Sequence, residues 1–195
     1  MHLLALGFVT GLAATVLLGD SINAIACWRP LVWEQIAAAG LAGDVDLAYD
    51  IARNNIAGWV RSARPDVVQF MLGTNDVNVG KRDVQSVLDS YTIMLDAMRD
   101  ANPNVKVIID KLIPTRWSDA TIEAINSAMP GWAATHSTAQ SPVEVADCSR
   151  AAGFTNDMLQ ADGVHPNELG DRFVAEQAGP KLIQFISDAR ARVRH

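Results

Sequence analysis

Short apolar runs alternate with longer amphipathic segments along the chain. The apolar runs are rich in Val, Ile and Leu and lack strict alternation of apolar and polar positions; we predict β-strands over 15–18, 66–72, 105–113 and 143–147. Strands that are buried on both faces of a sheet have this composition. The pattern therefore predicts an α/β fold with a mostly parallel sheet.

The segments between the apolar runs predict helices on both faces of this sheet. Residues 82–101 carry apolar side chains at helical spacing, from Val84 to Met98. We predict further helices over 29–39, 46–62, 119–128 and 168–191. Gly179-Pro180 is expected to kink or split the last of them, because proline lacks the N–H that an α-helix requires.

The first 14 residues are mostly apolar and end in small residues at 11–14, and no Asp, Glu, Lys or Arg precedes Asp20. This segment resembles the apolar part of a signal peptide, although it lacks a basic start. It is shorter than the roughly 20 residues that cross a membrane, so no stable membrane span is expected. We predict a signal peptide over 1–14, a secreted protein and one domain over 15–195.

The composition and charge of the chain disfavour some classes of function. The chain has 195 residues, a formal net charge of −6 and a pI near 5.1, with no cluster of Lys or Arg. Nucleic acid is therefore not an expected partner. The two cysteines, Cys27 and Cys148, fit either a disulfide or two small buried hydrophobic residues. The internal histidines and the scattered acids form no metal-ligand cluster, so we expect no metal.

Three polar motifs follow predicted strands. Gly19-Asp20-Ser21 follows the first strand, Gly73-Thr74-Asn75-Asp76 follows the second, and Asp162-Gly163-Val164-His165 comes one loop after the last. Ligands of parallel α/β sheets bind outside the carboxyl ends of the strands. The three motifs are therefore expected to meet at one edge of the sheet.

These motifs contain the parts of a serine hydrolase. A serine hydroxyl needs a base within hydrogen-bond reach, and that base needs an orienting group. We predict Ser21 as nucleophile, His165 as base and Asp162 as the acid that orients the imidazole. With two residues between them, Asp162 can bind one ring nitrogen while the other faces Ser21.

The intermediate of acyl transfer also needs hydrogen-bond donors for its oxyanion. We predict the side-chain amide of Asn75 and the backbone N–H of Ser21 for this role, and we assign Asp20 and Asp76 as substrate contacts. Taken singly, each residue also fits a structural role. Ser21 could cap a turn, and Asn75 and Asp76 could form Asx turns.

Together the motifs resemble those of the SGNH (GDSL-type) hydrolases. GDSI at 19–22 resembles the nucleophile block, GTND at 73–76 the oxyanion block and DGVHP at 162–166 the acid–base block. The flanking CWRPLVWEQI and FMLGTNDVN are most similar to carbohydrate esterase family three, secreted acetylxylan esterases. The resemblance implies a three-layer α/β/α fold, no cofactor, a Ser21–His165–Asp162 triad and an acetylated carbohydrate or small ester as substrate.

One block of that family has no counterpart in this sequence. The family has a second strand and a glycine loop, which donates a third N–H to the oxyanion, before the helix that leads into the GTND strand. Gly58 lies inside the predicted helix, and the sequence around Gly43 does not match. This indicates a sheet without its second strand, an exposed edge on the first strand and a rate lower by about 10²–10³.

The leading hypothesis is a serine esterase that removes acetyl groups from a carbohydrate such as xylan. An esterase or lipase for other short acyl esters remains an alternative, as does a catalytically impaired relative that binds a glycan or a partner. A nucleotide-binding module is disfavoured, because neither GxGxxG nor a P-loop follows the first strand.

Overall fold

The structure is a computed structural model that describes residues 4–6, 15–19, 48–116 and 119–193. Five strands of these ranges form one sheet in the spatial order β1-β2-β3-β4-β5: β1 Leu4–Leu6, β2 Thr15–Gly19, β3 Val67–Met71, β4 Lys106–Asp110 and β5 Val143–Ala146. Strand β1 is antiparallel to β2, and the other neighbours are parallel. The four predicted strands are therefore present.

Helices complete the described chain. They are α1 Ala48–Asp50, a π-helical turn Ile51–Asn55, α2 Ile56–Ala63, α3 Thr74–Asn78, α4 Val84–Ala101, α5 Asp119–His136 and α6 Glu168–Val193, with 3₁₀ turns at Arg150–Ala152 and Asn156–Met158. No helix within the described ranges has the length and apolar character to cross a membrane.

The sheet separates two hydrophobic cores, because successive residues of a strand face opposite sides. One core joins β3 and β4 to α2, α4 and α5 through Val60, Val68, Phe70, Tyr91, Leu95, Val107, Ile109 and Met129. The other joins the sheet to α6 through Val67, Ile108, Ala146, Ala178, Phe185 and Ala189. The predicted three-layer α/β/α sandwich is confirmed.

One predicted helix end is wrong, and the predicted split of the last helix does not occur. Helix α5 continues to His136 instead of ending at 128, and α6 passes through Gly179-Pro180 as one helix. Pro130 and Pro180 lie inside these helices with their rings exposed. On an exposed helix face, water can bind the carbonyl group that proline leaves without a donor. The short helix α3 was also missed, because its sequence was interpreted as a turn.

Strand β4 is shorter than the apolar run that predicted it. The backbone of Leu112 leaves the strand ladder and binds the side chain of Asn126, which accepts from the Leu112 N–H at 2.7 Å and donates to the Leu112 carbonyl at 2.8 Å. Residues 112–115 are nevertheless buried. Their apolar character therefore reflects a buried loop at the carboxyl edge of the sheet.

The predicted exposed edge of the first strand is wrong, because Leu4–Leu6 pairs with the free side of β2. These three residues belong to the segment that we predicted as a signal peptide, and that assignment stays a prediction. The predicted helix 29–39 and the region of the missing block lie outside the described residues. Cys27 does too, whereas Cys148 is a free and fully buried thiol.

Candidate active site

Asp162 and His165 meet in a tight turn between β5 and α6. The Nδ1 atom of His165 lies 2.7 Å from Oδ2 of Asp162. The other carboxylate oxygen, Oδ1, accepts the N–H groups of Val164 at 2.9 Å and His165 at 3.1 Å. The contact engages Nδ1 with the carboxylate, so that Nε2 is the other ring nitrogen. This is the arrangement that the sequence predicted for an oriented base.

The turn also keeps the Asp162 carboxyl ionised. Its partial burial by itself raises the pKa. The hydrogen bonds from the Val164 N–H, the His165 ring and the His165 N–H outweigh that effect and lower the pKa to about 2. A carboxylate at neutral pH holds an imidazole in one orientation and stabilises the imidazolium that forms during catalysis.

The backbone conformation of Gly163 shapes this turn. Its φ is +73°, in the left-handed region that favours glycine. The Gly163 N–H donates to the Gln160 carbonyl at 3.0 Å, and the Gln160 N–H donates to the His165 carbonyl at 2.8 Å. These bonds close the loop 160–165 on itself, so that Asp162 and His165 face each other.

Arg116, from the loop after β4, supports the same turn from outside. Its N–H donates to the Gly163 carbonyl at 2.9 Å, and its Nη1 donates to the Ala161 carbonyl at 3.3 Å. A Cβ atom on Gly163 would lie only 2.8 Å from the Arg116 Cβ. The acid–base turn is thus packed against the neighbouring strand's loop.

Asn167 connects the turn to α6. Its Oδ1 accepts the N–H groups of Leu169 at 2.9 Å and Gly170 at 3.3 Å, which caps the helix. Its Nδ2 donates to the carbonyl groups of Asp157 and Leu159. These bonds attach the start of α6 to residues 157 and 159. They therefore hold His165 and Pro166, which directly precede Asn167, in place.

The predicted oxyanion residue Asn75 lies at the carboxyl end of β3. It is the second residue of α3 and is partly buried. Gly73 precedes this helix with a φ of +130°, and an added Cβ would lie 3.1 Å from Tyr91 Oη and 3.2 Å from Leu112 Cδ1. The Tyr91 hydroxyl in turn donates to the Leu72 carbonyl. Close packing around Gly73 therefore sets where α3 begins.

Asp76 has a structural position, not the predicted substrate contact. Its side chain is completely buried. Its Oδ2 accepts the Ala48 N–H at 2.6 Å, and its Oδ1 accepts the Tyr49 N–H at 2.9 Å. Desolvation raises the pKa of Asp76, and the two N–H bonds oppose that effect. Asp76 is the cap of α1, supplied from a distant part of the chain.

The structure thus joins the predicted acid and base and places Asn75 at the carboxyl edge of β3. Asp20 and Ser21 lie outside the described residues; β2 ends at Gly19, which pairs with Met71 of β3. Sequence reasoning missed the supporting residues Arg116, Asn126 and Asn167. Only Asn167 carried a signal, as an N-cap residue directly before the predicted helix.

Within the described ranges, no three His, Cys, Asp or Glu side chains are grouped so that they could hold a metal ion.

Residues 17–173 match the sequence model of the GDSL-like Lipase/Acylhydrolase family. The chain belongs to this family and is a carboxylic ester hydrolase of the SGNH type.

Three known proteins that are similar to this chain are named as esterases or lipases. A crystal structure of a carbohydrate esterase family 3 protein from Talaromyces cellulolyticus is 62% identical, with a TM-score of 0.79 over 89% of this chain and 98% of that chain. A serine-to-alanine mutant of an acetyl esterase, solved with acetate ion, is 61% identical with the same TM-score and coverage. A GDSL lipase of Mycobacterium tuberculosis is 23% identical over 80% of this chain and 71% of its own.

Proposed function

We propose that the chain is a serine esterase that removes O-acetyl groups from a carbohydrate. The observation that carries the proposal is the 2.7 Å contact between His165 Nδ1 and Asp162 Oδ2 in a turn built to hold it. The two similar proteins at 62% and 61% identity, a carbohydrate esterase and an acetyl esterase, support the acetyl and carbohydrate parts. Xylan is the carbohydrate that the sequence resemblance suggests.

In the acylation step, Ser21 Oγ bonds to the acetyl carbonyl carbon and its proton passes to His165 Nε2. Asp162 holds the imidazolium through Nδ1. The bond to the sugar oxygen then breaks, and that oxygen takes the proton from Nε2. Gly19, the last residue of β2, pairs with Met71 at the carboxyl edge of the sheet, and Ser21 follows it by two positions in the sequence.

In the deacylation step, water attacks the acetyl-enzyme and gives its proton to Nε2. The bond from the carbonyl carbon to Ser21 Oγ breaks, Oγ recovers the proton, and acetic acid leaves and releases its remaining acidic proton to solvent as acetate. The Asn75 amide and the Ser21 N–H stabilise the oxyanion in both steps. The N–H groups of Ala48 and Tyr49 are bound to Asp76, so they do not replace the family's glycine N–H as a third donor.

Acetate release from acetylated xylo-oligosaccharides tests the proposal. The wild-type chain is expected to release acetate and Ser21→Ala is not, and p-nitrophenyl acetate is expected to react faster than p-nitrophenyl butyrate. Faster cleavage of the butyrate would favour an esterase or lipase for other acyl groups. Glycan binding without Ser21-dependent acetate release would favour the catalytically impaired alternative. A secreted location forms part of the same proposal.

A further inference from the structure

Asp76 joins two segments that are far apart in sequence. It follows Asn75 directly, and its carboxylate accepts the N–H groups of Ala48 and Tyr49, which lie 28 and 27 positions away. A carboxylate at a helix N-terminus satisfies donors that have no partner within the helix and interacts favourably with the helix dipole. The start of α1 is therefore fixed to α3 by a contact in which the Asp76 side chain is fully buried.

Arg82 provides further support for the contact between Asp76 and α1. The backbone carbonyl of Asp76 accepts the Arg82 N–H at 2.8 Å. The Arg82 guanidinium lies 3.6 Å from the centre of the Tyr49 ring. The Arg53 guanidinium also packs on this ring, 3.7 Å from its centre. Tyr49, whose N–H binds Asp76, thus also packs against the residue that binds the Asp76 backbone. Asp76 is held by both its side chain and its main chain.

Fixing Asp76 also fixes the direction of Asn75. Successive residues of a helix face different directions, and in α3 the buried Asp76 faces α1 whereas Asn75 remains partly exposed. Helix α3 has only five residues. A rotation that released the Asp76 side chain would therefore turn the Asn75 amide by the same angle.

We propose that Asp76 is the positioning residue of the oxyanion hole: by capping α1 it sets the orientation in which Asn75 presents its amide to the reacting carbonyl. This inference rests on the proposed function, because that function gives Asn75 its role. Asp76 itself does not contact the substrate. Its effect on the reaction passes through the geometry of α3.

Kinetics of Asp76→Ala and Asp76→Asn provide the test. Because misplacing a catalytic group by about 1 Å can cost about 10² in rate, we expect Asp76→Ala to lower kcat by roughly 10- to 100-fold with little change in KM. Asp76→Asn keeps one acceptor oxygen and should lose less. Asp83→Ala is the matched control, since Asp83 also caps a helix, accepting the Ser86 N–H at 2.8 Å. It should lower stability and leave kcat unchanged.

A double-mutant cycle separates positioning from general destabilisation. In an Asn75→Ala background the donor is gone, so Asp76→Ala should lower kcat by much less than it does in the wild type. An equal loss in both backgrounds, or an unchanged kcat in a folded Asp76→Ala variant, would overturn the inference.

A second measurement does not depend on turnover. The side-chain amide signals of Asn75, assigned by their absence in Asn75→Ala, are followed in ¹H–¹⁵N spectra. They are expected to shift in Asp76→Ala and to stay in place in Asp83→Ala. Unshifted signals in Asp76→Ala would refute the positioning role. If wild type lacks Ser21-dependent turnover while the signals shift, the proposed function fails and the control of α3 by Asp76 stands.

Discussion

The Arg116 N–H donates a 2.9 Å hydrogen bond to the carbonyl of Gly163, and the Arg116 side chain fills the space where a side chain of residue 163 would lie. The acid–base turn thus depends on a glycine for two reasons. One is the positive φ, and the other is the close approach of Arg116.

Gly163→Ala should therefore impair both stability and catalysis. A side chain in the left-handed region costs roughly 1–2 kcal/mol, and the added Cβ would also meet Arg116 Cβ at 2.8 Å. We expect a loss in unfolding free energy above that range and a lower kcat, because the clash displaces the turn between Asp162 and His165. Urea unfolding and p-nitrophenyl acetate kinetics measure the two effects.

Gly153→Ala is the matched control. Gly153 has a φ of +113°, but an added Cβ there would meet only Phe173, at an ordinary contact distance of 3.7 Å. It should lose stability through backbone strain alone and keep its kcat. Equal kinetic losses in both variants would show that the contact with Arg116 has no special part in the site.

The hydrogen bonds of Asp162 predict a pH-dependent contribution to stability. The folded-state pKa of about 2 lies below the ordinary value of 3.8, so the folded state releases the proton more readily than the unfolded state. The contribution is present above pH 3.8 and is lost as the pH falls towards 2. Unfolding free energies of wild type and Asp162→Asn should therefore converge over this window, with Asp96→Asn as the control for removing an exposed carboxylate. A difference that stays constant from pH 6 to pH 2 would show that the hydrogen bonds of Asp162 do not stabilise its ionised form in the folded state.

The raised pKa of Asp76 predicts a contribution to stability with the opposite pH dependence. Desolvation raises its pKa above 3.8, so the folded state retains the proton more strongly than the unfolded state. Its contribution is greatest below pH 3.8 and declines as the pH rises through the raised pKa. The stability of wild type relative to Asp76→Asn should therefore fall as the pH increases, and a rise over the same range would show that the buried carboxylate is not destabilised by burial.

Asn126 should be important for stability although it is remote from the triad in sequence. It pairs with both the N–H and the carbonyl of Leu112 in a fully buried loop. Asn126→Ala leaves two buried backbone groups without these partners, at about 1–3 kcal/mol each. We expect a loss of roughly 2–6 kcal/mol in urea unfolding, against a much smaller loss for the exposed Asn54→Ala. Equal losses would contradict the role given to the Leu112 pairing.

The sequence predicted those features whose cause is local. Asp162 and His165 are three positions apart, so their contact needs only one turn. The strands were found because burial on both faces leaves mainly apolar runs such as Val67–Met71, in which Gln69 is the single polar residue. Burial alone also misled the prediction, because Leu112 and Ile113 are buried without belonging to β4.

Contacts between distant segments could not be predicted. The carboxylate of Asp76 caps a helix that starts 28 positions earlier, and Asn126 replaces a strand partner for Leu112. Both contacts depend on how distant segments pack against each other, and the spacing of residues in the sequence does not indicate that packing. The continuity of α5 through Pro130 has the same origin, since it depends on which face of the helix is exposed.

In the proposed mechanism, Ser21 and His165 catalyse ester hydrolysis. The most direct measurement is the rate of p-nitrophenyl acetate hydrolysis by wild type, Ser21→Ala and His165→Ala, each shown to be folded by circular dichroism. We expect turnover by the wild type and a loss of several orders of magnitude in both variants. Equal, near-background rates in all three folded proteins would contradict the proposed mechanism.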